Sequence, residues 1–250
     1  MARHLIGLTV LAFAATAVAG CGDDAAVPTA AAGTGVQASP AATGAYAPVI
    51  DPASFSTRID NPYFPLPVGR HWRYQTKMAE GQETVDVVVL AETKIVDGVT
   101  CVVVRDTTRL NTKILEDTYD WYAQDAVGNV WYFGEDTTLY EDSGPNTKGS
   151  FAAGVDGAQP GIVMEAHPTV GDNYRIEYDA GKAEDRAKIL RLGERVKVPF
   201  GSYDDVLVTE DSSPLDATVT EQKFYARGVG LIKAAKLEDN EQEVLVKMTG

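Results

Sequence analysis

Apolar and polar residues alternate along most of this chain from Ile59 to its C-terminal end. In residues 71–78 the large side chains of Trp72, Tyr74 and Met78 fall on one parity, and polar residues fall on the other. Successive side chains of a β-strand point to opposite faces, so this period predicts strands with one buried and one wet face. Helical periodicity is scarce, which restricts the chain to a β-sheet fold.

Tight turns divide the alternating segments. The runs 84–96 and 99–110 are rich in β-branched residues and flank Asp97-Gly98, a dipeptide typical of two-residue hairpins. A second hairpin is predicted from 112–124 through Val127-Gly128-Asn129 into 130–134. Further strands are predicted at 172–178, 188–198, 203–210, 218–226, 230–236 and 243–248.

A series of antiparallel strands without intervening helices predicts the fold class. We expect an all-β domain built as an antiparallel, strongly curved sheet or incomplete barrel, with at most one short helix, at 180–186. The stretch 142–161 has several glycines, two prolines and no periodicity. It is interpreted as an ordered excursion over the surface or the mouth of the sheet.

The first twenty residues have the order of a bacterial export signal. Arg3 precedes an apolar run from Leu5 to Ala19, about 15 residues long, whereas a membrane-spanning helix needs roughly 20. Val18-Ala19-Gly20-Cys21 resembles the lipobox of bacterial lipoproteins. We therefore expect cleavage before Cys21 and a lipid anchor on it, palmitate included. A plain secretory signal with an incidental cysteine and an uncleaved anchor are the alternatives.

The sequence divides into a signal peptide at 1–20, a flexible tether at 21–55 and a single all-β domain at 56–250. The tether is rich in Ala, Pro, Gly and Thr and has almost no large apolar residue until Tyr46, so it cannot bury enough surface to fold. A flexible chain of this length spans roughly 30–35 Å. The expected location is the cell envelope, lipid-anchored on the outer face of the cytoplasmic membrane or in the outer membrane.

The chain is strongly acidic, with a formal net charge of −14. Loss of Arg3 with the signal leaves 21 basic against 36 acidic residues, a net charge near −15. Phosphate backbones repel such a chain, which excludes nucleic acid as a partner, so membrane attachment is expected through lipid alone. Cys101 lies in an apolar run and is expected to be a buried, unpaired thiol.

Motifs of nucleophilic, metallohydrolase, phosphate-binding and dinucleotide-binding enzymes do not occur in the sequence. We expect no cofactor and no enzymatic activity. Two histidines and a carboxylate, His71, His167 and Glu165, could together bind a metal ion. They are a weak candidate, because their spacing is unlike that of zinc motifs.

The hairpin at 112–134 and the residues just after it concentrate acidic and aromatic side chains. They form the candidate ligand or partner surface, which consists of Trp121, Tyr122, Trp131, Tyr132, Asp120, Asp125, Glu135 and Asp136. Simpler interpretations are a solvated acidic face and cross-strand packing of the aromatic rings. The acidic residues lack the order of a calcium loop. A carboxylate pair, Asp120 with Glu135, is formally compatible with glycosidase-like hydrolysis.

Two short motifs bracket the predicted domain. The first is Asn61-Pro62-Tyr63-Phe64-Pro65-Leu66-Pro67-Val68-Gly69 with Trp72 and Tyr74, and the second is Phe224-Tyr225-Ala226-Arg227-Gly228-Val229-Gly230-Leu231-Ile232. Both resemble motifs of an uncharacterised group of secreted bacterial lipoproteins that includes TapB-like proteins. The resemblance implies an incomplete, curved antiparallel barrel like that of periplasmic lipoprotein carriers, and it assigns no catalytic residue.

The anchor and the predicted fold favour a membrane-tethered, non-enzymatic binding module for an apolar or amphipathic ligand. One alternative is a structural or protein-interaction lipoprotein of the cell envelope, recognised through the acidic and aromatic hairpin. A carboxylate-dependent hydrolase is a third candidate. A hollow interior would favour carriage of a ligand, and a filled interior would favour a scaffold.

Overall fold

The computed structural model describes residues 46–238 and 241–250, without the side chains of 217–219. The predicted signal peptide, Cys21 and most of the predicted tether lie outside these residues. The described chain is all-β and antiparallel, as predicted, and forms a nearly closed barrel. Its helical content is the 3-10 helix Pro52–Ser54, and no helix in these ranges has the length and hydropathy to cross a membrane.

Sixteen strands occur in the described residues. They are β1 (Phe55–Ser56), β2 (His71–Met78), β3 (Gly81–Val96), β4 (Val99–Leu110), β5 (Lys113–Asp125), β6 (Val130–Glu141), β7 (Gly144–Asn146), β8 (Phe151–Ala152), β9 (Gln159–Met164), β10 (Asn173–Arg175), β11 (Glu177–Tyr178), β12 (Arg186–Val198), β13 (Gly201–Ser213), β14 (Asp216–Ala226), β15 (Gly230–Lys236) and β16 (Gln242–Thr249).

One chain segment brings the two edges of the sheet together. The strand order is β10-β12-β13-β14-β15-β16-β2-β3-β4-β5-β6-β9-β11, so β10 and β11 lie at opposite ends of the path. These two strands are consecutive in sequence and are separated only by Ile176, whose N–H donates to the carbonyl of Asp185. The segment therefore bridges β12 and β9, and the sheet curls into a barrel.

The hairpin turns lie where the sequence predicts them. Asp97 and Gly98 both have positive φ, 48° and 77°, as the turn between β3 and β4 requires, and Val96 pairs with Val99. The second hairpin is longer than predicted, because β6 continues to Glu141.

Two segments differ from their predictions. The short helix expected at 180–186 is a turn, because Asp179 and Ala183 exchange backbone hydrogen bonds around Gly181, which has a φ of 74°. The stretch 142–161 contains β7, β8 and the start of β9, which pair with β6 and so continue the sheet. Isolated bridges and very short strands of this kind leave no period in the sequence.

Side chains on the inner face of the barrel divide into two regions. The apolar end is the region around Tyr63, Phe64, Leu66, Trp72, Tyr74, Tyr225 and Leu231. The acidic chamber is the region around ten buried carboxylates and one buried lysine: Glu83, Asp106, Glu116, Asp120, Glu135, Glu177, Asp185, Asp211, Glu221, Glu243 and Lys223. The rings of Tyr122 and Tyr132 lie 5.1 Å apart between the two regions.

The outer face of β3 to β6 carries a second, smaller core. Cys101, Trp121 and Phe133 are buried there, and Phe55 packs edge-on against Phe133 at 5.3 Å between ring centroids. The residues that cover this core belong to the last part of the predicted tether. From Tyr46, whose hydroxyl donates to the carbonyl of Pro160 at 3.0 Å, the chain lies against the domain.

Candidate functional site

The period-two alternation of the strands explains why the carboxylates of the acidic chamber point inward. On β5, Glu116 and Asp120 share a face with Tyr122, and their cross-strand neighbours on β4 are Thr108 and Val104. On β16, Glu243 shares its face with Leu245 and lies between Thr76 of β2 and Ala234 of β15. Acidic and apolar side chains therefore occupy one inner surface, at different heights along the barrel.

Lys223 lies inside the acidic chamber. Its Nζ is 3.1 Å from a carboxylate oxygen of Asp211 and 3.6 Å from one of Glu221, and all three side chains are buried. Burial would lower the pKa of Lys223, but the two carboxylates raise it well above its ordinary 10.5. The chamber thus holds one permanent ammonium group between two acids.

A tyrosine hydroxyl joins two further acids. Tyr132 Oη lies 2.8 Å from both Asp120 Oδ1 and Glu135 Oε2, on neighbouring strands that pair these two acids directly. Burial raises the pKa of Asp120 from 3.8 to about 7, and burial together with the charge of Asp120 raises that of Glu135 well above its ordinary value. A hydroxyl has one proton to donate, so this three-residue group is most stable when a carboxyl also carries a proton.

The groups that surround Asp120 come from several strands. They are Glu116 on its own strand, Glu135 and Tyr132 on β6, Glu177 on β11, and Lys223 on β14. Groups from several strands therefore lie close enough to Asp120 for their charges to interact.

Several buried polar atoms of the chamber have no hydrogen-bond partner among the described residues. They are both carboxylate oxygens of Glu243, Asp120 Oδ2, Glu177 Oε1, Glu221 Oε1 and the hydroxyl of Tyr122. Burial raises the pKa of Glu243 and of Glu177 well above the ordinary value. Native proteins leave few buried polar atoms unpaired, since each costs roughly 1–3 kcal/mol. The unpartnered atoms of this group lie in one interior region of the barrel.

Two hairpin turns lie beside each other at the chamber end of the barrel. The turns after β2 and β4 follow the strand ends that carry Thr76 and Thr108, and they are joined by hydrogen bonds between Gln82 and Asn111.

The apolar end, in contrast, is filled and satisfied. Trp72 Nε1 donates to the carbonyl of Val229 at 2.8 Å, and the Tyr74 hydroxyl donates to that of Leu231 at 3.0 Å. The ring of Phe64 packs against Tyr122 with centroids 5.4 Å apart. The cavity left beside these rings measures about 10 Å³, which is the space of a single water at most.

The two bracketing motifs meet at the apolar end. The N–H of Gly228 donates to the carbonyl of Pro62 at 2.8 Å, and the Arg227 guanidinium lies 4.4 Å from the centre of the Tyr63 ring. Gly228 and Gly230 have φ values of 72° and 93°, so the turn between β14 and β15 needs both glycines. Both motifs are therefore parts of one structural plug.

The structure divides the eight residues of the predicted surface between two faces of the sheet. Tyr122, Tyr132, Asp120 and Glu135 point into the barrel and lie together, whereas Trp121, Trp131, Asp125 and Asp136 lie on the outer side. Asp136 is exposed. The simpler interpretation, in which the acidic residues form a solvated face, therefore holds for Asp136. It does not hold for the neighbouring Glu135, whose side chain is buried, with the residue 2% exposed.

Asp125 organises the turn between β5 and β6. Its carboxylate accepts hydrogen bonds from the N–H groups of Val127, Gly128 and Asn129 and from the side chains of Asn129 and Trp131. Hydrogen bonds to Trp131 and Asn129 outweigh burial and lower its pKa. Trp131 in turn packs against Phe55, so part of its ring is already covered by the chain itself.

His71, Glu165 and His167 do not combine into a ligand set. Nε2 of His71 lies 2.8 Å from Asp86, which also binds Arg73 and Arg109 on the outer face. Burial and the charge of Asp172 raise the pKa of Glu165 to about 7. Within residues 46–238 and 241–250, no three His, Cys, Asp or Glu side chains are close enough to hold one metal ion.

An open cleft of about 620 Å³ lies outside the barrel, beside the plug. It is lined in part by Asp60, Tyr63, His167, Asp205 and Arg227. Asp205 and Arg227 form an exposed ion pair with each other across its wall. This ion pair is solvated, unlike the pair that Lys223 forms with Asp211 in the chamber.

No protein-family model matches the chain. No curated protein matches it either. Among solved structures, the chain is similar to the crystal structure of a proposed lipoprotein from Parabacteroides distasonis, with 13% identity and a TM-score of 0.41 over 76% of this chain and 99% of the other. A TM-score this low does not establish a shared fold.

Proposed function

We propose that this chain is a non-enzymatic binding protein of the cell envelope, held at a membrane by lipid on Cys21, whose ligand lies inside the barrel. The observation that carries the proposal is the group of buried, unpartnered polar atoms in the acidic chamber. A ligand with hydrogen-bond donors would pair these atoms and remove the cost of burying them unpaired.

The dimensions of the barrel agree with a ligand inside it. Thirteen strands lie along the sheet path, whereas an interior just filled by side chains is typical of roughly eight. The ligand is expected to be amphipathic, because the chamber borders the aromatic rings of Tyr122 and Tyr132. A purely apolar ligand fits poorly, since the apolar end is already filled by the chain's own side chains.

The geometry favours binding over hydrolysis by Asp120 and Glu135. A hydrolytic pair must leave room between its carboxyl groups for a sugar ring, a water molecule or both. Here the Tyr132 hydroxyl lies between them, 2.8 Å from each. Activity toward a sugar substrate that is lost on Glu135→Gln would contradict the proposal.

The anchor can be tested separately from the ligand. In cells, Cys21→Ser should move the protein from the membrane fraction into the soluble envelope fraction, because acyl chains on Cys21 are its proposed attachment. Mass spectrometry of the N-terminal peptide should find the lipid on Cys21 of the unaltered chain. An unmodified Cys21 in a membrane-bound protein would contradict this part of the proposal.

Native mass spectrometry tests the ligand. The full chain, purified from its own cells in a nonionic sugar detergent, should carry a bound small molecule that is released on unfolding. The same preparation of a variant with Glu243→Gln and Glu177→Gln should carry less of it. A protein that emerges empty, and that binds nothing from a cell extract, would overturn the binding function.

A further inference from the structure

We propose that the molecule bound in the acidic chamber is an organic cation with one or more primary ammonium groups, of which an aliphatic diamine is the simplest form. This inference rests on the binding function proposed above and specifies its ligand class. The charge, the arrangement of the open oxygens and the surroundings of Lys223 each support it.

When its carboxyl groups are ionised, the chamber has more negative than positive charge. Ten buried carboxylates face an interior in which Lys223 is the only buried basic side chain among the described residues. Lys236, half-buried on β15, adds a positive charge near Glu221. A buried carboxylate that ionises without a positive partner is costly, so an added cation would stabilise the ionised forms of Glu243, Glu177 and Asp120.

The open oxygens are distributed over several walls of the barrel. Glu243 contributes two oxygens from β16, Asp120 contributes one from β5, and Glu177 contributes one from β11. Since no three carboxylates of the described residues converge on one point, their arrangement suits a ligand with separated donors. An ammonium group offers three N–H donors, and two such groups on a short chain can reach opposite walls.

Lys223 shows how the chamber holds such a group. Its ammonium lies between Asp211 and Glu221, with an oxygen of each within 3.6 Å. The Lys223 side chain is itself an alkylammonium: a four-carbon chain that runs inward from β14 and ends in an ammonium group. A diamine would place the same chemical groups in the chamber. Glu243 and Glu177 offer the same kind of acceptor without a lysine of their own.

Equilibrium dialysis of the full chain against 1,5-diaminopentane at pH 8 tests the inference. Dialysis is continued until the bound amount is constant, so slow entry of the diamine does not affect the result. We expect saturable binding of the diamine. The uncharged 1,5-pentanediol, which has the same carbon chain, and Mg²⁺ should both bind at least tenfold more weakly.

Matched variants locate the site. Glu243→Gln and Glu177→Gln each remove one carboxylate with little change of shape, and each should weaken diamine binding about tenfold or more, the effect of losing one charge-assisted hydrogen bond. Asp136→Asn removes the same charge from an exposed position next to Glu135 and should change the affinity less than twofold. Two interior variants are used so that misfolding of one does not decide the result.

The outcomes separate the ligand class from the function. The cationic ligand class would be overturned if the interior and exposed variants weakened diamine binding equally. It would also be overturned if 1,5-pentanediol bound as tightly as the diamine. An uncharged molecule that copurifies in the chamber, with no diamine binding, would overturn the ligand class and leave the binding function standing. No copurifying molecule and no diamine binding would overturn both.

Discussion

The two ends of the barrel interior are built by the same strands and the same alternation, yet they differ in how far their side chains are satisfied. At the apolar end, Trp72 and Tyr74 find backbone acceptors and Phe64 fills the remaining space. In the acidic chamber, Glu243 has two buried oxygens without partners. The difference shows that inward alternation specifies the barrel, whereas the chemistry of the inward residue decides whether its polar atoms find partners within the chain.

The largest expected effect comes from opening the apolar end. Phe64→Ala should lower the free energy of unfolding by about 3–5 kcal/mol, because it leaves a cavity beside Tyr122 and Tyr225 in a filled region. Urea unfolding followed by tryptophan fluorescence measures it. Val68→Ala, at an exposed position of the same segment, is the matched control and should change stability by less than about 0.5 kcal/mol. Equal effects of the two changes would contradict the plug.

The next effect is the dependence of stability on pH, which should come from the chamber. Because the pKa of Asp120 rises from 3.8 to about 7 on folding, the folded chain holds a proton that the unfolded chain has released between these values. The contribution of Asp120 to the free energy of unfolding is therefore fully present below pH 4 and is lost as the pH rises toward 7. The slope is about 1.4 kcal/mol for each pH unit and each extra proton held.

Denaturant unfolding between pH 4 and pH 8 measures this slope. Asp120→Asn should flatten it, whereas Asp136→Asn, on the outer side of the neighbouring strand, should leave it unchanged. Stability that rises steadily from pH 4 to pH 8 would contradict a chamber of protonated carboxyls.

Neutralising the chamber should stabilise the chain in the absence of ligand. Glu243→Gln is expected to raise the free energy of unfolding at pH 8 by about 1–3 kcal/mol, because it removes a buried carboxylate without a hydrogen-bond partner. The gain should be smaller at pH 5 than at pH 8, because burial raises the pKa of Glu243 well above its ordinary value and so favours its protonated form. A loss of stability at both pH values would show that this carboxylate has a structural partner.

The smallest effect is expected at the boundary between the two regions. Tyr132→Phe removes the hydroxyl that lies between Asp120 and Glu135 and should cost about 1 kcal/mol, the net worth of a buried hydrogen bond. Since this hydrogen bond lowers the pKa of Asp120, its loss should also move the pH-dependent change to higher pH. An unchanged pH profile would contradict the contact.

Much of the fold follows from the sequence. The alternation at His71–Met78 and the Asp97-Gly98 turn predict strands and a hairpin that the structure contains. The closing of the barrel could not be predicted, because β10 and β11 have only three and two residues and leave no period. The predicted helix at 180–186 failed for a related reason, since a single turn resembles the start of a helix in composition.

The sequence predicts some residues of the acidic chamber but not others. The hairpin predicts Asp120 and Glu135 as candidates, but aromatic residues occur at both parities, such as Trp121 and Tyr122, so the sequence does not indicate which face is inner. Lys223 and Glu243 were missed because a charged residue in a strand normally marks the wet face. The position of each residue in the alternation does indicate its face. Glu221 and Lys223 have the same parity as Tyr225, and Glu243 has the same parity as Leu245, so each shares a face with a large apolar residue.

The most direct measurement is the stability of the full chain at pH 8 and at pH 5, with and without 1,5-diaminopentane. A ligand that binds only the folded state stabilises it by mass action. We expect the diamine to raise the free energy of unfolding clearly at pH 8 and less at pH 5, where Asp120 is protonated. We also expect Glu243→Gln to reduce the effect. No stabilisation at pH 8, or equal stabilisation at both pH values, would contradict a cation-binding chamber.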